Sequence, residues 1–511
     1  MSNYFTNFSK SPLIILDVAN NHSGSVKHGK KIINEVSRIS NKFSFKVAIK
    51  FQYRHLDSFI HPKYKSRIDL PIIKRFESTK LNDQQFLELK KYAEDLGLIT
   101  ACTPFDEISV EKVLEHKYEL IKIASASIED WPLLEALVKN NKQQIPVIAS
   151  TGGITLNNLD RVSQFLSKRL QSFALMHCVG KYPTLENDMQ LKRIVKMAQR
   201  YSGIPIGYST HEDPKNLSAS IIALGMGATI FERHVGFDSE TFRLNKYSSG
   251  PNELENWFNN LSSALEMIGG GRDFLHELDP EEVESLKVFR RGVFVKSPIQ
   301  ESQKLDTTDL YFAIPLGDNQ LSTKDLSKSQ RIISKRLYSN IDEPINLDEV
   351  FVDSTQNKTL DIAGKVQALF RESYITLPPS GTLEISHHYG IDNFYQHGAS
   401  LITIVNREYC KKIIALFKDQ ENPEHFHKVK EETFICLKGI VELVLDGVAH
   451  ILRPGDSLLI KPGVKHRFLG LEDSVLEEIS TNHLVGDSFY SDDSIMENLS
   501  RKTHIAIWIN E

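Results

Sequence analysis

Two histidines close two apolar runs. Ile204, Pro205, Ile206, Gly207 and Tyr208 lead to Ser209, Thr210 and His211; Ala228, Thr229, Ile230 and Phe231 lead to Glu232, Arg233 and His234. Two neutral imidazoles brought together could hold a divalent cation and leave coordination positions open for substrate. The competing explanation is two unrelated histidines, each capped by a hydrogen bond at a strand end. A second candidate centre begins with His425 and His427. On a strand these share one face, because the side-chain period is two. Glu432 and His466 could close a mixed nitrogen and oxygen metal site there; the alternative is a scaffold with satisfied histidines. Anion chemistry is offered by Lys50 and Lys122 with the hydroxyls of Ser125, Ser150 and Ser209. Lysine acts as a point charge on a phosphate or carboxylate, and hydroxyls and backbone N–H groups complete the shell. Either lysine could instead snorkel at a rim. That is a poor account of Lys122, which lies between Ile121 and Ile123 and needs a partner.

These residues need elements that bring them together. Apolar runs at residues 13–20, 47–52, 98–105, 120–126, 146–152, 173–179, 204–211 and 228–235 alternate with helix-period segments. The helical segments include residues 84–96, 133–141, 156–168, 188–201, 216–227 and 253–268. Runs without polar alternation predict parallel strands buried on both faces. Eight such units fit an α/β fold closed as a (β/α)8 TIM barrel better than an open sheet. Polar groups gather at the carboxyl end of nearly every run, from Asp17 at the first to His177 and Cys178 at the sixth. That is the rim on which barrel enzymes build their sites. Residues 289–295, 307–315 and 330–337 predict a small β-rich module, and residues 354–358 a polar linker. Beyond them, short strands with turn signals predict an all-β domain. The expected domains are residues 1–280, 285–353 and 360–511.

Composition narrows the classes. A chain of 511 residues holds more than one domain. Its 41% hydrophobic and 25% charged residues describe a soluble globular protein. A net charge of −5 points away from a nucleic-acid partner. Cys102, Cys178, Cys410 and Cys436 are scattered, which suits a reducing cytoplasm and argues against a zinc-thiolate site. The apolar run at residues 13–16 is too short for a signal peptide, and no stretch reaches membrane-spanning length.

In order along the chain come Asn21-His22-Ser23-Gly24-Ser25, Lys50-Phe51-Gln52, Thr103-Pro104-Phe105-Asp106, Lys122 with Ser125, and Ser150-Thr151-Gly152. His177-Cys178 with Tyr182-Pro183, Gly207 to His211, and Glu232-Arg233-His234 follow. Over residues 12–350 this ordered set resembles the sialic acid (N-acetylneuraminate) synthase family. Members condense phosphoenolpyruvate with an N-acylated mannosamine-type sugar to give a nine-carbon 2-keto acid. The resemblance implies Mn2+ or Mg2+ on His211 and His234, polarising the open-chain aldehyde. It implies phosphoenolpyruvate on Lys50, Lys122, Ser125, Ser150 and Ser209, with Gln52 and Tyr182 facing the sugar. The chain departs from the family at several positions. Ser127 stands where the family has a catalytic Glu, Asp17 where its first motif has Glu, Gly180 where Asn or Ser is usual, and Asn245 where it has a substrate-binding Asp. Serine cannot replace a carboxylate as general acid or base at neutral pH; Glu129 and Asp130, just beyond, could compensate. The candidate catalytic set is Lys50, Lys122, Asp17 and Ser127, with Asn245 joining the substrate-binding residues. The departures leave the acceptor open. Beside a synthase they raise a sugar- or phosphoenolpyruvate-binding regulatory protein, or an aldol-type enzyme for another aldehyde.

Residues 285–353 resemble the antifreeze-like SAF domain, a β-clip, that follows the synthase barrel. In the family it covers the partner's active site, which implies a homodimer with exchanged domains. The family's sugar-binding Arg corresponds here to Ile314. In the last region, His425, His427 and Glu432, then Gly439, Pro454-Gly455-Asp456 and Pro462-Gly463 with His466, resemble a cupin. More narrowly, His387-His388-Tyr389-Gly390, Asn406 to Cys410 and Glu478 to Thr481 resemble cupin sugar isomerases of the D-lyxose isomerase kind. That resemblance implies Mn2+, Zn2+ or Fe2+ on His425, His427, Glu432 and His466. Lys430, Glu478 and Arg467 are then acid–base or orienting groups.

Overall fold

Eight apolar runs pair in sequence order into a closed parallel barrel. Its strands are β1 (Leu13–Asp17), β2 (Lys46–Tyr53), β3 (Ile99–Pro104), β4 (Leu120–Ile123), β5 (Val147–Ser150), β6 (Phe173–Cys178), β7 (Ile206–Thr210) and β8 (Ile230–His234). The structure is a computed structural model of the 511-residue chain and describes residues 3–8, 10–269, 279–327, 330–378, 380–484 and 486–508. The α/β TIM-barrel expectation holds. The strands stop earlier than the apolar runs: β4 ends at Ile123, and Ser125–Ser127 form one 3-10 turn. The expected helix from residue 188 begins at Lys192, after a 3-10 turn at Glu186–Asp188.

Alternation along the strands separates core from rim. Leu13, Ile15, Ala48, Ala101, Leu120, Ile148, Ala174, Met176 and Ile230 form one apolar cluster with Phe5 and Phe8. Phe5 and Phe8 sit on a 3-10 turn, Tyr4–Phe8, tied to the start of β6 by Asn3 Nδ2 donating to the Phe173 carbonyl at 2.8 Å. Burying each ring contributes about 2–3 kcal/mol. In register, Asp17 of β1 lies beside Lys50 of β2 and His234 of β8, and Ile15 lies beside Glu232. The period of two turns Glu232 and His234 to the cavity and Arg233 outward. The buried Arg233 guanidinium lies 4.9 Å from the Trp257 ring centre and donates to Glu212 at 3.1 Å. Arg233 and Glu212 thus tie the end of β8, which carries His234, to the loop after β7, which carries His211.

His22, just past β1, is buried edge-on to Phe86, and its Nδ1 accepts the Gly24 N–H at 3.2 Å. Burial, joined by neighbouring His28, pushes its pKa down to about 4. In the unfolded chain a histidine titrates near 6.5. As pH falls from about 6.5 to about 4, the unfolded state takes up a proton that the folded state does not. Stability from this residue is intact above the unfolded value. Its loss on acidification is expected to cost about 1.4 kcal/mol per pH unit. Urea unfolding of His22→Gln should show a pH slope smaller by up to that amount between about pH 6 and pH 4.5; an identical slope would refute the assignment.

Residues 278–511 form a second compact unit. Gly292–Val295 pairs antiparallel with Leu310–Ala313, and Arg331–Ser334 with Val350–Asp353. Val293, Val295, Ile299, Leu321, Tyr338 and Ile345 lie at their core. The linker expected at residues 354–358 is instead the start of a helix, Thr355–Glu372. Its first turn is polar because it faces solvent. Ile362, Ala363, Val366, Leu369 and Phe370 recur at helical spacing and join the core of the sheet that follows. From Ser380 onward a seven-stranded and a five-stranded sheet make an all-β domain, antiparallel in its strand pairings. No helix among the described residues is long and apolar enough to cross a membrane.

Candidate active site at the barrel rim and candidate metal centre

The carboxyl ends of the barrel strands enclose a cavity of about 480 Å3. Lys50, Lys122, Asp17, Gln52, Ser125, Ser150, Tyr182, Ser209, His211 and His234 all line it. Ser127 and Asn245 are not among the lining residues. Ser125 and Ala126 face the cavity. A 3-10 turn then rotates the chain by about a third of a turn per residue, and Ser127 is buried within the protein. Glu129 and Asp130 do not take its place. Glu129 accepts from Asn158 at the surface, and Asp130 caps the helix Trp131–Asn140 through the Leu133 N–H. Asn245 donates to Asn21 at 3.2 Å, while Tyr247 lines the cavity. The close approach of Gly152 sets Ser125: a Cβ there would lie 2.7 Å from Ser125 Oγ, which accepts the Gly152 N–H at 3.1 Å.

Glu232 joins the expected residues into one network. Lys122 Nζ donates to its two oxygens at 2.9 and 3.0 Å, Ser209 Oγ donates at 3.0 Å, and Lys50 Nζ lies 3.2 Å away. Lys50 also pairs with Asp17 at 3.0 Å, and Gln52 donates to Asp17 at 2.9 Å. The partner that Lys122 requires is therefore Glu232. Burial would raise the Glu232 carboxyl, but the ammoniums of Lys122 and Lys50 override it and hold the group well below the carboxylate range. Burial likewise opposes the charge on Lys50, and Asp17 and Glu232 outweigh it, so its pKa is raised. Lys122 goes the other way. Burial, with repulsion from Lys50, outweighs Glu232 and lowers its pKa. Of the two buried lysines, Lys122 gives up its proton the more readily.

The spacing that marks His234 also marks Glu232, two residues earlier on one strand face. Arg54 stands in the same relation to Gln52. Arg75, on the helix Pro71–Ser78, lines the cavity too and has no such signal in the sequence. Thr103 and Cys178 complete the neighbourhood of the serines and His211.

The donor set fits a divalent cation. His211 Nδ1 lies 3.1 Å from the Val179 carbonyl, which can only accept, so Nδ1 carries the proton and the Nε2 lone pair is free. The His211 and His234 ring centres are 5.3 Å apart. His234 Nδ1 is buried without a hydrogen bond, 3.6 Å from Asp17.

The second unit holds a tighter cluster. His425, His427 and His466 place one ligand atom each within 4.8 Å of one another. His425 and His466 face each other across paired strands. Each Nδ1 meets a backbone carbonyl: Pro423 at 2.9 Å for His425, Asp487 for His427 and Val464 at 3.1 Å for His466. All three tautomers are thereby fixed with the Nε2 lone pair free. The Glu432 oxygens lie 3.3 Å from Nε2 of His427 and of His466. Glu432 pairs with Lys430, which also lies 2.6 Å from Glu478. Arg467 points elsewhere, to Glu421 and Glu442.

Both halves have known relatives. The model of the NeuB family matches residues 45–273, and that of the cupin domain matches residues 414–480. The crystal structure of a protein assigned as spore coat polysaccharide biosynthesis protein E, from Chromobacterium violaceum, is 38% identical in sequence. The match covers 67% of this chain and 100% of that one, with a TM-score of 0.64. The N-acetylneuraminate-9-phosphate synthase of Drosophila melanogaster is 26% identical, over 71% of this chain and 96% of its own. The N,N'-diacetyllegionaminic acid synthase of Campylobacter jejuni is 25% identical, over 58% of this chain and 87% of its own. With its rim residues drawn into one cavity and a cupin following the barrel, the chain belongs to the NeuB family.

Proposed function

We propose that the barrel is a nonulosonic acid synthase that condenses phosphoenolpyruvate with an N-acylmannosamine-type sugar. The observation that carries this is the single cavity joining Lys50, Lys122 and three serines to His211 and His234. In this reading the lysines and Ser125, Ser150 and Ser209 hold the phosphate and carboxylate, competing for the ammoniums with Asp17 and Glu232. Gln52 and Tyr182 orient the sugar. A divalent cation on His211 and His234 would polarise the aldehyde when bound. C3 of phosphoenolpyruvate attacks the aldehyde carbon and water adds at C2. One water proton passes to the former aldehyde oxygen. The C2–O bond to phosphate breaks, and the remaining hydroxyl proton leaves with the phosphate. Asp17 and Glu232 are the carboxylates lining the cavity. Glu232 holds the Lys122 ammonium in place beside the reacting groups through two hydrogen bonds.

Full-length protein with Mn2+ or Mg2+ is expected to release phosphate from phosphoenolpyruvate only when such a sugar is present. Tight phosphoenolpyruvate binding with no release across a panel of N-acylmannosamines would instead favour a binding protein. The burial of Ser127 away from the cavity is the observation on that side.

For the cupin, the reading is a metal site of His425, His427, His466 and Glu432 that serves a sugar isomerase. A bound Mn2+, Zn2+ or Fe2+ would hold adjacent sugar oxygens, and Lys430 and Glu478 would move the proton. The same reading makes residues 285–353 the SAF domain of an exchanged homodimer in the cytoplasm.

A further inference from the structure

We propose that Arg54 and Arg75 form a subsite for an anionic group, phosphate or carboxylate, carried by the acceptor sugar away from its aldehyde. The proposal rests on the synthase reading of the barrel. It starts from charge balance within the cavity. Both lysines are already compensated, Lys50 by Asp17 and Glu232, and Lys122 by Glu232. Arg54 and Arg75 line the same cavity, and among the described residues neither has a carboxylate within ion-pair distance.

Arg54 is held rigidly. Its guanidinium lies 3.7 Å from the Phe105 ring centre and 4.5 Å from that of Phe76. One N–H donates to the Gln52 amide oxygen at 2.9 Å, and Nε is buried without a partner. Burial, outweighing Asp17, pulls its pKa down to about 10. A cation in such surroundings is costly until a counter-ion arrives. Arg75 comes from another element, the helix Pro71–Ser78, whose Phe76 packs on Arg54. A guanidinium presents paired N–H donors that match the oxygens of phosphate and carboxylate.

Position identifies the ligand as the acceptor. Lys50, Gln52 and Arg54 follow one another at alternate positions of one segment. An extended chain rises about 3.3 Å per residue, so Arg54 stands about 13 Å beyond Lys50 along the backbone. An acceptor whose aldehyde meets His211 and His234 has its far end to present to the mouth. A neutral sugar would leave Arg54 without a counter-charge.

The test compares N-acetylmannosamine, its 6-phosphate and its 6-carboxylate as ligands of the full-length protein, by calorimetry and by phosphate release. Wild type should bind at least one anionic sugar about tenfold more tightly than the neutral one. Arg54→Gln and Arg75→Gln should each erode that preference, and the double variant should abolish it, with the effect in acceptor KM and not in phosphoenolpyruvate KM. Arg75 is exposed, so its variant keeps the test valid if Arg54→Gln fails to fold. Equal binding of all three sugars, a preference that survives the double variant, or a rise in phosphoenolpyruvate KM alone would overturn the proposal. Preference for the anionic sugar with no phosphate release would sustain the subsite and sink the synthase reading. Turnover without preference would do the reverse.

Discussion

Glu232→Gln is expected to lower phosphate release by at least about a thousandfold and to destabilise the barrel by about 3–5 kcal/mol. The carboxylate is the shared counter-ion of Lys50 and Lys122 and the acceptor for Ser209. Glutamine keeps the shape and removes the charge. Lys50 still has Asp17. Lys122 loses its ion-pair partner, and burial already lowers its pKa. Its buried ammonium is then left with no carboxylate to balance it. Breaking a buried pair from one side leaves a stranded charge, whereas removing both sides is often neutral. Glu232→Leu with Lys122→Leu should therefore recover most of the stability and none of the turnover. Thermal melts read the first effect and kcat/KM for phosphoenolpyruvate reads the second. Wild-type kcat/KM in Glu232→Gln would remove Glu232 from the mechanism. Stability lost equally in the single and double variants would mean that packing, not charge, is what Glu232 supplies.

The difference between what the chain spells out and what it hides is local. Parallel strands buried on both faces leave continuous apolar runs, so β1 to β8 and the polar residues at their ends are legible. Lys122 signals a missing partner by lying between two isoleucines, and Glu232 is reachable because it shares a strand face with His234. Ser127 is different. A family resemblance carries a residue type to a position but not the rotation of a 3-10 turn, which takes Ser127 out of the cavity that Ser125 lines. Asn245 fails in the same way, because its loop holds it against Asn21. Arg75 lies far from any strand end, and only the helix Pro71–Ser78 brings it over the rim. The helix Thr355–Glu372 begins with exposed polar residues that imitate a linker. The apolar positions 362, 363, 366, 369 and 370 carry the helical period that overrides that impression.

His425→Ala combined with His427→Ala, in the full-length chain, is expected to weaken metal binding by the cupin at least about a thousandfold. Two of four donors are lost, and the two that remain, His466 and Glu432, do not enclose an ion. The histidines are prepared for a cation before one arrives. Each Nδ1–H is committed to a backbone carbonyl, so each Nε2 offers its lone pair without a change of tautomer. Burial, and then His466, hold His425 well below the usual imidazole range. It is therefore neutral, as a ligand must be, throughout the physiological range. A fragment starting at residue 360 would cut the first turn from the helix Thr355–Glu372, which packs into the same core, so the whole chain is the right object for the measurement. Metal content after dialysis, by atomic emission, gives the result. Barrel turnover should stay at the wild-type level, because both substitutions lie in the second unit, His425 on the strand Glu421–Phe426 and His427 just past its end. Unchanged metal content would eliminate the cupin site. Loss of metal together with loss of phosphate release would show that the cupin's ion serves the barrel reaction and would overturn the independence of the two chemistries.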